Sequence, residues 1–459
     1  MGAGEGQVQR SFGNRCGYHR NMSLGRTLRI FFLNLALVFT GYGAPLLAQP
    51  SLSSSGTQFS APVTHYTLPP DKLAKSTALH RTRLITAIVD LVYGFGLLLL
   101  FLYARWAVRF RDIAERASRW LIVQACVFVP LFIIVLALLN LPPRIYNHYL
   151  SVSYGLSVQG WASWFQDWAK SLGLEIAGGI LLLWLMYKII RRSPRWCWFY
   201  FWMVSVVVMA FVVYVAPIAL DPIFNKFEPL DKTNPALVTE IEKVVQRGGL
   251  TIPRSRMFEM KASAKTTELN AYVTGYGATK RVVVWDTTEQ KMNTPQTLFV
   301  FGHEMGHYVL GHVWKGMLFS AGFLFVLYYL GFRASLWLLR SNGGRWGILN
   351  LGDWASLPAL ILVISVISFF ADPIGNAFSR TIEHHADIYG LEVIHGIVPD
   401  SQQAAAQSFQ ILGENSLSYP YPNRFLVWWI ADHPPICDRV PFAANYDPWS
   451  KGESPRFVK

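Results

Sequence analysis

The sequence predicts a mostly α-helical integral membrane protein with about seven membrane spans and one small α+β segment. Hydrophobic residues make up 52% of the 459 residues and charged residues only 15%, whereas charged residues make up about 25% of ordinary soluble domains. Several apolar stretches also approach the roughly 20 residues that a helix needs to cross a bilayer. A soluble protein with this many long buried helices would be unusual, so membrane lipid is the expected surrounding.

The N-terminal region precedes the main group of spans. Residues 1–21 are polar, and Met22 is a plausible alternative start. The apolar run over residues 30–48 fits either a signal peptide or a signal anchor. A connector rich in Ser and Pro, residues 51–70, follows this run.

Six further apolar stretches predict transmembrane helices. They lie at about residues 84–103, 120–142, 174–190, 197–220, 316–339 and 354–371. Asp90 in the first and Glu175 at the edge of the third are costly in lipid, so we expect both to face the protein interior or water. The chain is thereby divided into an N-terminal segment (1–80), a membrane domain (81–221) and a domain that includes the last two spans (222–459).

Charge and cysteine content argue against a nucleic-acid-binding protein and against a protein built on disulfides or cysteine metal sites. The net charge of +13 is typical of basic cytoplasmic loops in multi-span proteins, and we expect no nucleic-acid partner. The four cysteines lie at positions 16, 126, 197 and 437. Because no two of them have CxxC spacing, the sequence predicts neither a disulfide framework nor a cysteine metal site.

A polar segment between the fourth and fifth of the six stretches predicts the α+β part. Asn234-Pro235 opens an amphipathic helix that Gly248-Gly249 closes. Three short strands are expected at residues 255–260, 270–276 and 280–286, with a hairpin connection at 275–279. These strands predict a small sheet.

A His-Glu-x-x-His pattern follows the sheet on a predicted helix. Thr294 is the expected N-cap, and Pro295 occupies the first turn, where proline is tolerated. His303 and His307 project from one helical face, one turn apart, so both imidazoles can bind one Zn²⁺. Glu304 lies beside them and is the expected general base, which takes a proton from a zinc-activated water. The pattern is typical of metalloproteases.

A third metal ligand is expected farther along the chain. Glu383 would complete a two-His, one-Glu set that leaves the fourth position open for water. Asp387 lies four residues later on the same helical face and can hold a ligand histidine through its other ring nitrogen. His384 and His385 are competing candidate ligands at this point.

Three motifs resemble the signatures of the integral-membrane type I CAAX prenyl endopeptidases. They are His303-Glu304-x-x-His307, Ser379-Arg380-x-x-Glu383-x-x-Ala386-Asp387 and His433-Pro434-Pro435-x-x-x-Arg439. Upstream segments around Pro222–Leu230 and Asn270–Asp286 resemble that family as well, so the likeness spans roughly residues 80–445. One departure is His384-His385, which stands where the family usually has an aromatic residue and a glutamine.

The resemblance implies a fold and an activity. It implies a ring of membrane helices around a large chamber, with a zincin-like catalytic segment whose single zinc site faces inward. It also implies cleavage near the C-terminus of prenylated CAAX substrates, so the expected partner is a peptide or protein that carries a lipid. Asn270 and Ala271 would face the substrate backbone, as an edge strand can pair with an extended peptide; a plain edge strand is the alternative.

The last motif supplies a further candidate catalytic residue. His433 follows the end of a helix and precedes Pro-Pro, which holds it rigidly enough to donate a hydrogen bond to a developing oxyanion. A structural loop histidine is the alternative. Arg380 and Arg439 are expected to support the site, because arginine beside carboxylates often forms an orienting ion pair.

Other functions remain open from the sequence. A broader role in degrading membrane proteins or peptides is compatible with the same motifs. A transporter would also have several spans with buried acids, but transport does not require the metal-site motifs. A non-catalytic scaffold with structural zinc would normally close all four metal positions with protein ligands.

The side of the membrane that carries the site is also open. The resemblance implies a cytosol-facing site. The positive-inside rule predicts the reverse, because the clusters Arg105–Arg119 and Arg191–Arg195 lie on the same side as Arg26 and Arg29 when residues 30–48 are counted as a span. That count leaves the catalytic segment extracytoplasmic. If the protein is bacterial, the expected location is the inner membrane.

Overall fold

A computed structural model of the chain describes residues 59, 61–215, 219–275 and 280–458. The apolar run at 30–48 and most of the hairpin connection at 275–279 lie outside the described residues. The N-terminal half contains α1 (Pro70–Tyr103), α2 (Trp106–Ala117), α3 (Leu121–Leu139), α4 (Leu141–Ser153), α5 (Trp161–Arg192) and α6 (Cys197–Tyr214).

The remaining elements follow the sixth helix. The α+β segment contains α7 (Asp221–Phe224), β1 (Phe227–Pro229), α8 (Leu230–Thr233), α9 (Pro235–Arg247), β2 (Met257–Met260), β3 (Ala271–Thr274), β4 (Arg281–Trp285), α10 (Asp286–Lys291) and α11 (Thr294–Val309). The C-terminal part contains α12 (His312–Trp346), α13 (Leu357–Ile394), α14 (Ser401–Asn415), α15 (Arg424–Ile430) and α16 (Ile436–Asn445).

Six of these helices are long and apolar enough to cross a membrane: α1, α3, α5, α6, α12 and α13. Each overlaps one of the six predicted stretches, and α1, α5, α12 and α13 extend well beyond the apolar part. Asp90 is buried in α1, where it accepts a hydrogen bond from Asn147 Nδ2 at 3.3 Å. The mostly helical, multi-span architecture predicted from the sequence is confirmed.

The connections between spans separate the molecule into two ends. Arg111, between α1 and α3, donates from Nη1 to Asp353 Oδ2 at 2.7 Å, and Arg191 at the end of α5 donates from Nε to Gly352 O at 2.9 Å. Asp353 and Gly352 lie between α12 and α13, so these connections meet at one end. Because the spans alternate in direction, the sheet and helices α14–α16 lie at the other end.

The sheet has the strand order β1-β2-β4-β3. β2 and β4 are parallel, and the outer pairs are antiparallel. The three predicted strands are confirmed, while β1 is an additional strand of three residues. Within the described residues β3 pairs only with β4, so its other edge is open. The predicted amphipathic helix is α9, whose buried apolar side chains join the core beneath α11.

The non-helical segment over residues 61–69 is held against the catalytic end. Gln403 on α14 accepts from Val63 N at 2.7 Å and donates to Val63 O. Two turns later, Gln410 accepts from Thr67 N at 3.2 Å and donates to Thr67 O at 2.6 Å. Each glutamine thus satisfies both backbone groups of one residue, and the chain before α1 lies at the same end as the sheet.

Helix α11 begins one residue earlier than expected. Asn293, not Thr294, is the N-cap: its side chain accepts from Gln296 N at 3.0 Å, and the Gln296 side chain accepts from Asn293 N. This reciprocal capping box satisfies two backbone donors at once, which explains why Asn293 is preferred. Pro295 lies in the first turn as expected.

Helices α11 and α13 pack with almost no side chain between their backbones. A Cβ atom at Gly390 would lie 3.0 Å from His303 N and 3.2 Å from His303 Cα, and one at Gly302 would lie 3.4 Å from Gly390 Cα. Only glycine permits this approach. It brings the two helices that carry the His-Glu-x-x-His and Glu-x-x-x-Asp motifs into direct contact.

We expect Gly390→Ala to lower the Tm and the bound metal, because the added Cβ must push α11 and α13 apart; overpacking of this kind costs roughly 1–3 kcal/mol. Gly375→Ala on the same helix is the matched control, since its Cβ meets nothing within 4 Å. Thermal unfolding and metal analysis of the purified variants test this. Equal Tm and metal content in both variants would contradict the close-packing argument.

Candidate metal centre

The two histidines of α11 face the same point. His303 and His307 are one helical turn apart, and their Nε2 atoms lie 3.2 Å from each other. His303 is almost fully buried and His307 is partly buried. The i, i+4 spacing alone produces this pairing, because residues four apart lie on one helical face.

Helix α13 brings a carboxylate to the same point. Glu383 Oε2 lies 3.3 Å from His303 Nε2, and Glu383 Oε1 lies 3.6 Å from His307 Nε2. One ligand atom from each of these three residues lies within 4.8 Å of the others. Among the described residues, no other group of three or more His, Cys, Asp and Glu side chains meets this criterion. Two imidazoles and one carboxylate form a donor set suited to a catalytic metal ion.

The competing histidines point elsewhere. The His384 ring packs against the Phe442 ring with centroids 4.6 Å apart. His385 Nε2 lies 3.2 Å from Arg456 Nη2. Neither residue belongs to the converging group, which contains Glu383 instead.

A buried carboxylate contacts the ring nitrogen of His303 that does not face the centre. Asp387 is fully buried, and its Oδ1 lies 2.9 Å from His303 Nδ1. Arg439 on α16 donates to Asp387 from both Nε and Nη2, at 2.9 and 2.5 Å, and its guanidinium stacks over the Phe409 ring. The carboxylate orients the His303 ring so that Nε2 faces the centre, and the bidentate arginine compensates its buried charge.

Glu304 follows His303 on α11 and is partly buried. Desolvation raises the pKa of its carboxyl to about 7, partly offset by the nearby charge of His303. A carboxyl group with a pKa near neutrality is suited to accept and release a proton at physiological pH.

His433 approaches the centre from the loop between α15 and α16. Its Nε2 lies 3.2 Å from Glu383 Oε2, and its Nδ1 lies 3.0 Å from Asp432 Oδ1. Burial lowers the pKa of His433, but its hydrogen bonds to Asp432 and Glu383 outweigh burial and raise the pKa to about 9. The ring therefore has an N–H available near the centre.

Arg380 supports the loop that carries His433. Its Nη1 donates to the carbonyl oxygens of Val427, Trp428 and Ala431, at 3.3, 3.3 and 2.5 Å. These carbonyls are at the C-terminal end of α15, where a cation compensates unpaired acceptors and the helix dipole. The arginine thus fixes the chain just before His433.

Ala271 is the first residue of the open-edged strand β3, and Asn270 directly precedes it. Asn270 O accepts from Trp285 N at 3.1 Å, and Asn270 N donates to Thr288 Oγ1 at 2.8 Å. The Asn270 backbone is therefore engaged on the inner side. Since backbone groups alternate along an antiparallel strand, the N–H and C=O of Ala271 face the open edge.

Two residues that contact the candidate site histidines, Asp432 and His312, had no role predicted from the sequence. Asp432 directly precedes His433 and contacts its ring, and adjacency to a candidate histidine was the available signal. His312 lies 3.1 Å from His307, measured between their Nδ1 atoms. Gly311, with φ of 67°, turns the chain so that His312 packs beside the preceding helix.

A converging His₂Glu group on packed helices of a multi-span protein is typical of the membrane metalloproteases. Comparison with known protein families supports the same class. The profile described as Peptidase family M48 matches residues 231–446. The profile described as CAAX prenyl protease N-terminal, five membrane helices, matches residues 55–226.

Individual relatives extend this finding. YhfN of Bacillus subtilis, described as an uncharacterized metalloprotease, is 34% identical over 332 residues, which are 72% of this chain and 75% of that protein. The CAAX prenyl protease 1 homolog of Dictyostelium discoideum is 28% identical over 59% of this chain and 63% of its own. The crystal structure of S. mikatae Ste24p has the same fold, with a TM-score of 0.72 at 23% identity over 83% of this chain and 90% of that one.

The chain belongs to the type I CAAX prenyl endopeptidase family of membrane metalloproteases. It is a multi-pass membrane metalloendopeptidase.

Proposed function

We propose that this protein is a zinc endopeptidase in which His303, His307 and Glu383 hold the ion, Glu304 is the general base and His433 stabilises the transition state. The observation that carries the proposal is the convergence of the three ligand atoms within 4.8 Å directly beside Glu304. Two imidazoles and a carboxylate are typical catalytic zinc ligands, and three protein ligands leave the fourth position to water or substrate.

In the proposed mechanism, each residue of the site has a separate chemical role. When bound, zinc supplies the Lewis acidity that polarises the scissile carbonyl and makes a water molecule more acidic. Glu304 accepts the proton of the attacking water and delivers it to the departing amine nitrogen. His433, held by Asp432, donates a hydrogen bond to the carbonyl oxygen as negative charge develops there. Asp387 and Arg439 keep the His303 ring oriented throughout.

The substrate backbone is proposed to pair with the open edge of β3. The outward-facing N–H and C=O of Ala271 can bind an extended peptide by strand addition, which gives affinity with little demand on sequence. Asn270 contributes its side chain rather than its backbone, because its N–H and C=O are already bonded to Thr288 and Trp285.

The proposed natural substrates are peptides or proteins that carry a lipid near the scissile bond. This part of the proposal rests on relatives described as CAAX prenyl proteases. Hydrolysis of one CAAX peptide with and without its prenyl group measures the contribution of the lipid. Equal kcat/KM for the two peptides would instead favour a general membrane-peptide protease.

We expect Glu304→Gln to retain about one zinc per chain and to lose nearly all hydrolysis of that prenylated peptide, because the amide cannot accept a proton. Metal analysis and a peptide-cleavage assay measure the two properties. Glu289→Gln is a matched control: burial also raises the pKa of Glu289 to about 7, but its carboxylate accepts from Asn234 Nδ2 at 2.8 Å, outside the centre. Near-normal cleavage by Glu304→Gln would refute the assigned base.

We expect His433→Ala to lower kcat by about 10²–10³-fold, as for loss of one oxyanion donor, with zinc content unchanged. His395→Ala is the control, since that ring stacks on Trp449 outside the centre. Steady-state kinetics and metal analysis are the measurements. If His433→Ala released the metal, His433 would have to be counted as a ligand.

We also propose that the catalytic end faces away from the cytoplasm, in the inner membrane of a bacterial cell. Ten arginines and only three carboxylates lie at the opposite end, in residues 104–119, 191–196 and 340–353. Positive charge of this kind marks cytoplasmic connections. The segment over residues 61–69 is hydrogen-bonded to α14, so the described chain before α1 lies at the catalytic end as well.

A cysteine introduced at Ser454, with the native cysteines replaced, should react with a membrane-impermeant maleimide in intact cells, because Ser454 is exposed at the catalytic end. Ala117→Cys, exposed at the arginine-rich end, is the matched control and should react only after lysis. The reverse labelling pattern would place the catalytic end in the cytoplasm.

A further inference from the structure

His312 makes a contact with the centre that none of the roles above explains. It is the first residue of α12, only 3% of its surface is exposed, and its Nδ1 lies 3.1 Å from His307 Nδ1. Gly311 adopts a left-handed backbone conformation, with φ of 67° and ψ of 28°, which residues other than glycine rarely adopt. This turn between α11 and α12 sets the His312 ring against His307.

The two ring nitrogens of His307 have separate partners. Its Nε2 lies 3.2 Å from His303 Nε2 and 3.6 Å from Glu383 Oε1, so Nε2 faces the centre. A neutral histidine that binds a metal through Nε2 carries its proton on Nδ1. That Nδ1–H points to His312, whose Nδ1 must then provide a lone pair.

We propose that His312 is a positioning residue for His307: it accepts the hydrogen bond from Nδ1–H and thereby sets the tautomer and ring plane of this ligand. The inference rests on the proposed function, because it takes His307 as a metal ligand. His312 itself is not one of the three converging residues, and it contacts the side of His307 that faces away from the centre.

The two ligand histidines are thus supported by different chemistry. His303 is held by the carboxylate of Asp387, whose charge Arg439 balances, and a carboxylate makes its imidazole a stronger ligand. His307 is held by an imidazole acceptor, which orients the ring without adding negative charge. The support of His307 depends on geometry alone, so it should be sensitive to whether an acceptor atom is present at the position of His312 Nδ1.

A pair of variants with the same branching separates hydrogen bonding from packing. His312→Asn places an amide oxygen near the position of Nδ1, whereas His312→Leu has the same shape at Cγ without an acceptor. We expect His312→Leu to weaken zinc binding by roughly 10–100-fold, as for loss of other residues that orient metal ligands. His312→Asn should restore most of that affinity. Chelator competition on the full chain in detergent measures the zinc dissociation constants.

Substitution of Co²⁺ for zinc supplies a second measurement. The visible spectrum of the bound Co²⁺ should match the parent in His312→Asn and differ in His312→Leu. His385→Leu is the control, because the His385 ring lies 6.3 Å from the His312 ring, centroid to centroid, and contacts Arg456. It should leave zinc affinity unchanged. If His312→Leu cannot be purified, His312→Gln, which displaces the acceptor by one methylene, takes its place and should also weaken zinc binding.

The outcomes distinguish this inference from the proposed function. Equal zinc affinities for the Leu and Asn variants would show that the hydrogen bond has no role and would overturn the assignment of His312. A parent chain that binds zinc but does not hydrolyse peptides would contradict the proposed function and leave the zinc-affinity comparison intact. A parent chain that binds no zinc would contradict both.

Discussion

The metal centre depends on the close backbone approach of α11 and α13. Gly390 has no side chain between its Cα and the His303 backbone, and Gly302 faces Gly390 from the other helix. This contact sets where the site residues of α13 lie, because Asp387 and Glu383 are about one and two turns before Gly390 on that helix. Packed helices normally lie roughly 8–10 Å apart, measured between their axes, and the spacing depends on the side chains at the contact. A longer side chain at either glycine would therefore push α11 and α13 apart and move the carboxylates away from the histidines.

The same helix, α13, ties the centre to the C-terminal part of the chain. Arg439 on α16 compensates the buried charge of Asp387, and breaking a buried pair by removing one partner costs about 3–5 kcal/mol. Farther along α13, the buried carboxylate of Glu392 accepts from the backbone N–H groups of residues 456–458 and from the Tyr446 hydroxyl. Polar contacts thus lock α16 and the tail onto the helix that supplies Glu383.

The contacts at the two ends of the molecule differ in what they hold together. At the arginine-rich end, Arg111 and Arg191 satisfy a carboxylate and a carbonyl in the connection between α12 and α13, which holds the spans together where the chain reverses. At the catalytic end, α13 continues beyond its apolar part and packs against α11 and α14, and α11 packs against β3. The candidate metal centre therefore lies where the membrane helix α13 meets the α+β segment.

The sequence by itself determined the features that depend on local periodicity and composition. Hydropathy predicted the six long helices, short strand-like runs around a glycine-containing hairpin connection predicted β2–β4, and the i, i+4 spacing placed His303 and His307 on one face beside Glu304. Distant pairings could not be obtained this way, because a helix pattern does not specify which helix packs against it. The tertiary structure placed Glu383 rather than His384 or His385 beside the two histidines. It also paired Asp387 with Arg439 on another helix, and set Asp432 and His312 against ring nitrogens whose partners depend on packing. The choice of Asn293 over Thr294 as N-cap was likewise decided by the geometry of the folded chain, in which only Asn293 forms the reciprocal bond with Gln296.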